Sequence, residues 1–342
     1  MNFKVYGAFD VDLKEAWQNF YLEKGGAYNS SYEWNFTWFK HFGEGKKLFI
    51  ITGWEENQIR LIAPFYKRGN RLYAVGSNPD FYDSFCVLYQ DIACLLDLSN
   101  FIIENNFEID LRLISPGSEF FKCLLRRFEQ EKIYKVNIYS YTVKPLIYKT
   151  EKFKNSLTKK YKRLKRKENL AKRDFNDELK YDFNSVKNEK HIKEFMNFHQ
   201  KKWDIFKSHK MRDFIKDLYL NQDFVMLSRL YLKNSDRSVA YSFKYKSLNN
   251  VLYSNMFSYN DDFAEMSPGF LVPYYDISSE MGLSVDYMDY GIGSYEYKYY
   301  FANKEEIILS IKADLSWKRH KTLFNILKRV KKQISFLACV MK

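Results

Sequence analysis

The chain has 342 residues, 46% of them hydrophobic, and a formal net charge of +13, a size that favours two compact units over one. The N-terminus MNFKVYGAFDVDLKEAW has no continuous apolar stretch, and no run approaches the length of a bilayer-spanning helix, so a secretory signal and a transmembrane segment are not expected and a cytoplasmic location is. Cys86, Cys94, Cys123 and Cys339 are scattered, without C-x-x-C spacing or a nearby His, which argues against zinc and against a disulfide framework; no metal is expected.

In chain order, a helix is predicted near 12–24, followed by an aromatic stretch over 32–42 and the strand KLFIITGW. IRLIAPFYK and RLYAVGS read as strands joined by turns at Gly69, Asn70 and Asn78-Pro79. A helix near 96–105 leads to the strand EIDLRLIS, the helix EFFKCLLRRFEQE and the strand KVNIYSYTV, and this half ends near Pro145. Next comes the densest charge in the chain, eleven Lys and Arg against the single acid Glu168 between Lys152 and Arg173. Phe153, Leu157, Tyr161, Leu164 and Leu170 recur there at helical spacing, which predicts a basic amphipathic helix. Beyond it, HIKEFMNFHQKKWDIF and MRDFIKDLYLN read as helices, then FVMLSRLYLK, SVAYSFKYKS and NVLYSNMFSYN as consecutive strands. The helix GFLVPYYDISSEM, the strand SVDYMDYG, the short helix YEYKYYFAN, the strand EIILSIKADL and a helix from Trp317 complete the order.

Two helices, an antiparallel meander, a helix, a strand and a closing helix are the order of a GNAT domain, and the first half carries a blurred copy of it. Ser115-Pro116-Gly117 and Ser267-Pro268-Gly269, each before a helix, suggest a duplication. The run MSPGFLVPYYDISSEMGLSVDYMDYGIGSYEYKYYFAN resembles the cellulose-biosynthesis-type acetyltransferase group of the GNAT superfamily. The resemblance rests on Ser267, Pro268, Gly269, Leu271, Gly282, Asp289 and Tyr297-Lys298 in order, with SLTKKYKRLKRKENLAKRD similar to its basic linker helix and YEWNFTWFKHF to its Trp-containing N-terminal segment. It extends more distantly to the Fem-type peptidoglycan transferases. The resemblance implies an α/β (α+β) protein of two tandem GNAT-like domains, each a mixed, mostly antiparallel central sheet flanked by helices. Their expected limits are 1–150 for an acceptor-side domain, 151–180 for the basic linker helix and 181–342 for the domain that binds acyl-CoA.

Physical chemistry gives these residues roles. A helix N-terminus offers amide N–H groups and a positive dipole end to a diphosphate, Pro268 suits the first turn, Gly269 permits close approach and Ser267 can cap. The usual alternating-Gly phosphate loop is missing at 262–269, where Asp262 and Glu265 add negative charge, so phosphate contacts are fewer or come from Lys and Arg elsewhere. The resemblance implies donor contacts from Asn255, Met256, Phe257, Ser258, Ser267, Pro268, Gly269, Phe270 and Lys298, with strand amides stabilising the oxyanion. Asp289 and His199 are candidates to position or deprotonate the attacking amine, and Tyr297 and Tyr300 to protonate the leaving thiolate. For the acceptor, the candidates are Tyr82 and Asp83 in NPDFYDSF, Lys159, Lys162, Arg163 and Arg166 on the basic helix, and Trp203. Each also has a plainer reading: a packed histidine, core tyrosines, a turn with solvated acids, a solvated helix face.

The function expected is N-acylation, by acetyl-CoA or a hydroxyacyl-CoA such as 3-hydroxybutanoyl-CoA, of a nucleotide-linked amino-deoxy sugar such as a dTDP-3-amino-3,6-dideoxyhexose, for surface polysaccharide. Fem-like transfer from aminoacyl-tRNA is one alternative, although nothing resembles an RNA-binding module and a nucleic-acid partner is not expected. A non-catalytic protein docked to a membrane surface through WKRHKTLFNILKRVKKQISFL is another. The oligomeric state, monomer or homodimer, stays open.

Overall fold

The structure, a computed structural model, describes residues 1–315 except 78–84, 132, 280, 281 and 283. The elements run β1 (Asn2–Tyr6), α1 (Val11–Lys24), α2 (Tyr32–Phe42), β2 (Lys47–Glu55), β3 (Gln58–Arg68), β4 (Arg71–Ala74), β5 (Leu88–Tyr89) and α3 (Ile92–Glu104). Then come β6 (Glu108–Ile114), α4 (Glu119–Gln130), β7 (Tyr134–Tyr148), α5 (Glu151–Phe175), β8 (Leu179–Asp182), α6 (Glu189–Gln200) and α7 (His209–Asn221). The last are β9 (Val225–Leu232), β10 (Ser238–Lys246), β11 (Val251–Tyr259), α8 (Pro268–Ser278), β12 (Tyr287–Asp289), α9 (Glu296–Tyr299) and β13 (Lys304–Leu315). The class is the expected one, mixed α/β with mostly antiparallel strands flanked by helices. The helix expected from Trp317, with Cys339, lies outside the described residues.

The chain divides into two compact units. The first takes residues 1–24, 45–142 and the described part of 307–342. Its strands lie in the order β1-β2-β3-β4-β6-β13, antiparallel except for the parallel pair β4–β6. Phe120, Phe121, Leu124, Leu125 and Phe128 recur on one stripe of α4, which turns that stripe inward against Leu98 and Ile102 of α3 and Ile109 and Leu111 of β6. The turn before α4 closes through Ser115, whose side-chain oxygen accepts from the Gly117 N–H at 3.1 Å.

The second unit takes residues 25–44 and 143–306. β8, β9, β10 and β11 form an antiparallel meander, β12 pairs parallel to β11, and the last residues of β7 pair antiparallel to β12. A parallel neighbour demands a crossover, and α8 supplies it. The aromatic stretch over 32–42 is a helix, α2, because the Ser31 side chain accepts from the Trp34 N–H at 3.2 Å at its start. It packs on α7, with Trp34 5.5 Å from the Phe214 ring and Lys40 and His41 each 2.8 Å from Asp217. Tyr28 stacks on Tyr245 at 4.2 Å. α5 starts at a Thr150 cap and ends at Asn176 in the left-handed region, φ 50°, and buries Phe153, Leu164 and Ala171. α6 stops at Gln200, short of the single helix expected through 206, and Asp204–Lys207 is a separate 3-10 turn.

Candidate acyl-donor site

The site is built where β11 gives way to α8. Asn260 opens a 3-10 turn over Asp261–Met266 by accepting from the Asp262 N–H at 3.2 Å, and buried Phe263 and Met266 pin that turn to the core. Ser267 then adopts φ 53° and ψ 54°, the left-handed region, and its hydroxyl makes no cap, unlike the capping role expected from sequence. The Ser267 N–H donates to Ala264 O at 2.9 Å, Pro268 has no N–H, and the Phe270 and Leu271 N–H groups both turn back on Ser267 O at 2.9 and 3.3 Å. Among the described residues the Gly269 N–H donates to no partner at this helix start. An added Cβ on Gly269 would meet only the Phe257 ring, at an ordinary 3.7 Å, and Gly269 does not use positive φ. Neither the fold's own packing nor its backbone therefore demands glycine there, which fits a position kept small for the close approach of a ligand.

A cation stands at the same turn. Lys167 of α5 donates to the Glu265 carbonyl at 2.9 Å. Lys160, one helical heptad earlier, donates to the Tyr300 carbonyl and lies 4.9 Å above the Tyr300 ring. Burial pulls its pKa below the usual lysine range. Neither lysine was among the expected substrate contacts, yet their register was legible: both share the helix side of Phe153, Leu164 and Ala171. Lys159, Lys162, Arg163 and Arg166 stand on the exposed side of α5.

Beside the turn, β11 is irregular and its edge is open. Phe243 pairs with Met256 but Lys244 pairs with Ser254, so Asn255 is the extra residue of a bulge. β12 accompanies β11 only at Val251, Leu252 and Tyr253, while β11 runs on to Tyr259. Past Asp289 the chain leaves the strand pairing through Gly291, φ 66°, which still lies against Asn255, and Gly293, φ 104°. Among the described residues no strand pairs with that edge of β11 from Met256 to Tyr259, which leaves backbone groups for an extended, amide-bearing ligand.

The turn that diverges from β11 is held by buried charge. Asp289 is 2% exposed, accepts the Gly291 N–H at 2.8 Å on one oxygen and pairs with Lys144 at 2.8 Å on the other. Burial works against the charge of Lys144, but Asp289 and Glu306, 3.2 Å away, outweigh it and hold its pKa above the ordinary value. Lys298 turns inward to donate to Ile292 O at 2.7 Å and Gly291 O at 3.3 Å, and burial lowers it to about 8 against the pull of Asp289. With both oxygens of its carboxylate engaged, Asp289 braces the Gly291 turn.

Residues 152–299 match the family model described as Acetyltransferase (GNAT) domain. The chain is an acyltransferase, and these residues are what it shares with a GNAT domain. No curated protein sequence matches it. Among solved structures it is similar to FemX, with TM-score 0.57 and 9% identity over 91% of this chain and 97% of that one. A conserved protein of unknown function from Bacteroides thetaiotaomicron VPI-5482 gives TM-score 0.51 and 9% identity over 90% and 98% of the two chains. L-PGS from Bacillus licheniformis gives 0.50 and 12% over 92% and 95%. At these identities the likeness is one of fold.

A GNAT domain implies an acyl-CoA co-substrate, and the Gly269 position, the open β11 edge and the Lys167 cation suit a thioester arm with a diphosphate. The structure places the other expected residues unevenly. Phe257, Gly269 and Tyr297 come together, with the Phe257 and Tyr297 rings 6.2 Å apart, and Phe270 meets Tyr300 at 4.9 Å. His199 lies on α6, which packs on β11, and is 7% exposed between Phe206 at 4.9 Å and Trp203 at 4.6 Å. Burial takes its pKa down to about 4, so it is neutral at physiological pH, and its Nδ1 meets no hydrogen-bond partner among the described residues. Ser258 is fully buried with its hydroxyl unpartnered, opposite Tyr241 in β10. Tyr82 and Asp83 lie outside the described residues.

Proposed function

We propose that the protein N-acylates the amino group of a nucleotide-linked amino-deoxy sugar from acyl-CoA, in the cytoplasm, for surface polysaccharide. The open edge of β11 beside the Ser267–Gly269 turn carries this reading, because it offers a thioester arm backbone groups and a nearby cation at once. The amine nitrogen attacks the thioester carbonyl, the carbon–sulfur bond breaks, and the thiolate leaves and takes a proton. Holding both reactants together supplies much of the acceleration. A β11 amide within Ser254–Ser258 that faces the open edge stabilises the oxyanion, and Tyr297 or Tyr300 gives the thiolate its proton. A sugar amine is neutral in good part near physiological pH, so the bracing role of Asp289 and the neutral, packed state of His199 are compatible with the chemistry. The basic helix supports an acceptor that carries phosphate, through Lys159, Lys162, Arg163 and Arg166, with Trp203 as an aromatic contact.

The test is thiol release from acetyl-CoA and 3-hydroxybutanoyl-CoA with a panel of nucleotide-linked amino sugars. Release with at least one sugar is expected, and replacing its proton donor, Tyr297→Phe or Tyr300→Phe, lowers kcat about 100-fold. No release with any member of the panel removes the acceptor class. A second reading, transfer from aminoacyl-tRNA, is favoured by the outward cations of α5; it requires tRNA binding that falls steeply with salt.

A further inference from the structure

A cavity of about 520 Å³ opens within the second unit beneath the first turns of α5. Its walls include Tyr148 from the end of β7, Phe153 and Ser156 from α5, and Phe301 after α9, and two ammonium groups, of Lys160 and Lys304, complete it. The volume is that of a small-molecule site. No Asp or Glu lines it, and neither lysine is ion-paired with a carboxylate among the described residues. Lys304 lies 4.6 Å above the Tyr148 ring, and Lys160 lies 5.4 Å above the Phe301 ring with the Tyr300 carbonyl as its hydrogen-bond acceptor. Burial lowers the pKa of Lys160 with no carboxylate to restore it, so an anion brought here would relieve that cost. Aromatic walls with unpaired cations at the rim recognise one chemistry: a negative group on an apolar body.

We propose that this cavity binds a small amphiphilic anion, a carboxylate, phosphate or sulfonate on an alkyl or aromatic body, with the anion at Lys160 and the body against Phe153 and Phe301. The cavity adjoins the acyl-donor site through Lys160 and its bond to Tyr300, and its binding is measured without acyl-CoA, so that loss of dye binding and loss of acyl transfer are read separately. The probe is 8-anilinonaphthalene-1-sulfonate, titrated by fluorescence into the full chain, with uncharged N-phenyl-1-naphthylamine as the comparison. One saturating site is expected. Lys160→Met weakens the sulfonate about 10-fold, the scale of one charge-assisted hydrogen bond, and leaves the uncharged dye unmoved. Ser156→Trp fills the cavity and abolishes both. Octanoate displaces the sulfonate at concentrations where acetate does not. Wild-type titrations in both variants, equal weakening of the two dyes by Lys160→Met, or equal displacement by octanoate and acetate would each overturn the proposal.

Discussion

The two units bury different things. In the first, the buried polar side chains among the described residues are the hydroxyls of Thr52 and Ser99, inside a core of Leu, Ile and Phe. The second buries Lys144, His199, Arg229, Lys244, Asp276, Asp289 and Lys298. Charge taken out of water is expensive unless it is paired, and perturbed groups concentrate where a protein works, so the second unit is the one to search for a site. Within it, two lysine–aspartate pairs behave oppositely. Lys144 has two carboxylates and its pKa rises, whereas Lys244 has Asp276 alone, at 2.5 Å, and burial still pulls it down to about 8. The second pair ties α8 to the sheet, because Asp276 also accepts from Ser228 of β9 and Tyr181 of β8.

The same contrast appears in the two Ser-Pro-Gly turns. In the first unit the triplet precedes its helix and closes on its own Ser115 hydroxyl, while in the second Pro268 already belongs to the helix and the Ser267 hydroxyl makes no cap.

Breaking the Asp276 tie is the severest test. Asp276→Ala leaves Lys244 buried without its carboxylate and costs about 3–5 kcal/mol by urea denaturation. Leu98→Ala in the first unit costs about 2–5 kcal/mol by lost packing, with no dependence on pH. An Asp276→Ala protein as stable as wild type would show that buried charge is not what distinguishes the units.

His199 sharpens the contrast through pH. Its folded pKa lies below its unfolded value, so the unfolded chain takes up the proton first as pH falls. Its contribution is complete above about 6.5 and is lost as pH falls through about 4, a change of roughly 3 kcal/mol. His199→Leu removes that part of the acid sensitivity, read as a shallower fall of stability between those pH values. The smallest effect belongs to the exposed charge. Alanine at Lys162, Arg163 or Arg166 moves stability by no more than about 0.5 kcal/mol each, in contrast to changes at the buried charges of the same unit.

How much was legible follows from where the information lies. Pro268 before an apolar run, the helical spacing of Phe153, Leu157, Tyr161 and Leu164 in the basic stretch, and the alternation of SVAYSFKYK announce their elements because turns and periodicity act over a few residues. The helix over 32–42 escaped the periodicity because Trp, Tyr and Phe crowd every face of it, and only the Ser31 cap marks its start. β8 escaped for lack of length. In the site, Gly269 and Phe270 came from the motif and Phe257 from the strand that the resemblance puts before it. Lys160 and Lys167 could have been found from the inner register of α5, and Lys144 could not, since nothing local marks its partner.

By itself, then, the sequence determined the run of helices and strands, the turn before α8 and the amphipathic basic helix, all properties of neighbouring residues. Tertiary structure alone decided that residues 25–44 pack with the second unit, that Lys144 meets Asp289, and that His199 sits neutral between aromatic rings. Ion pairing and desolvation depend on distances and burial between residues far apart in the chain, and no local pattern encodes those.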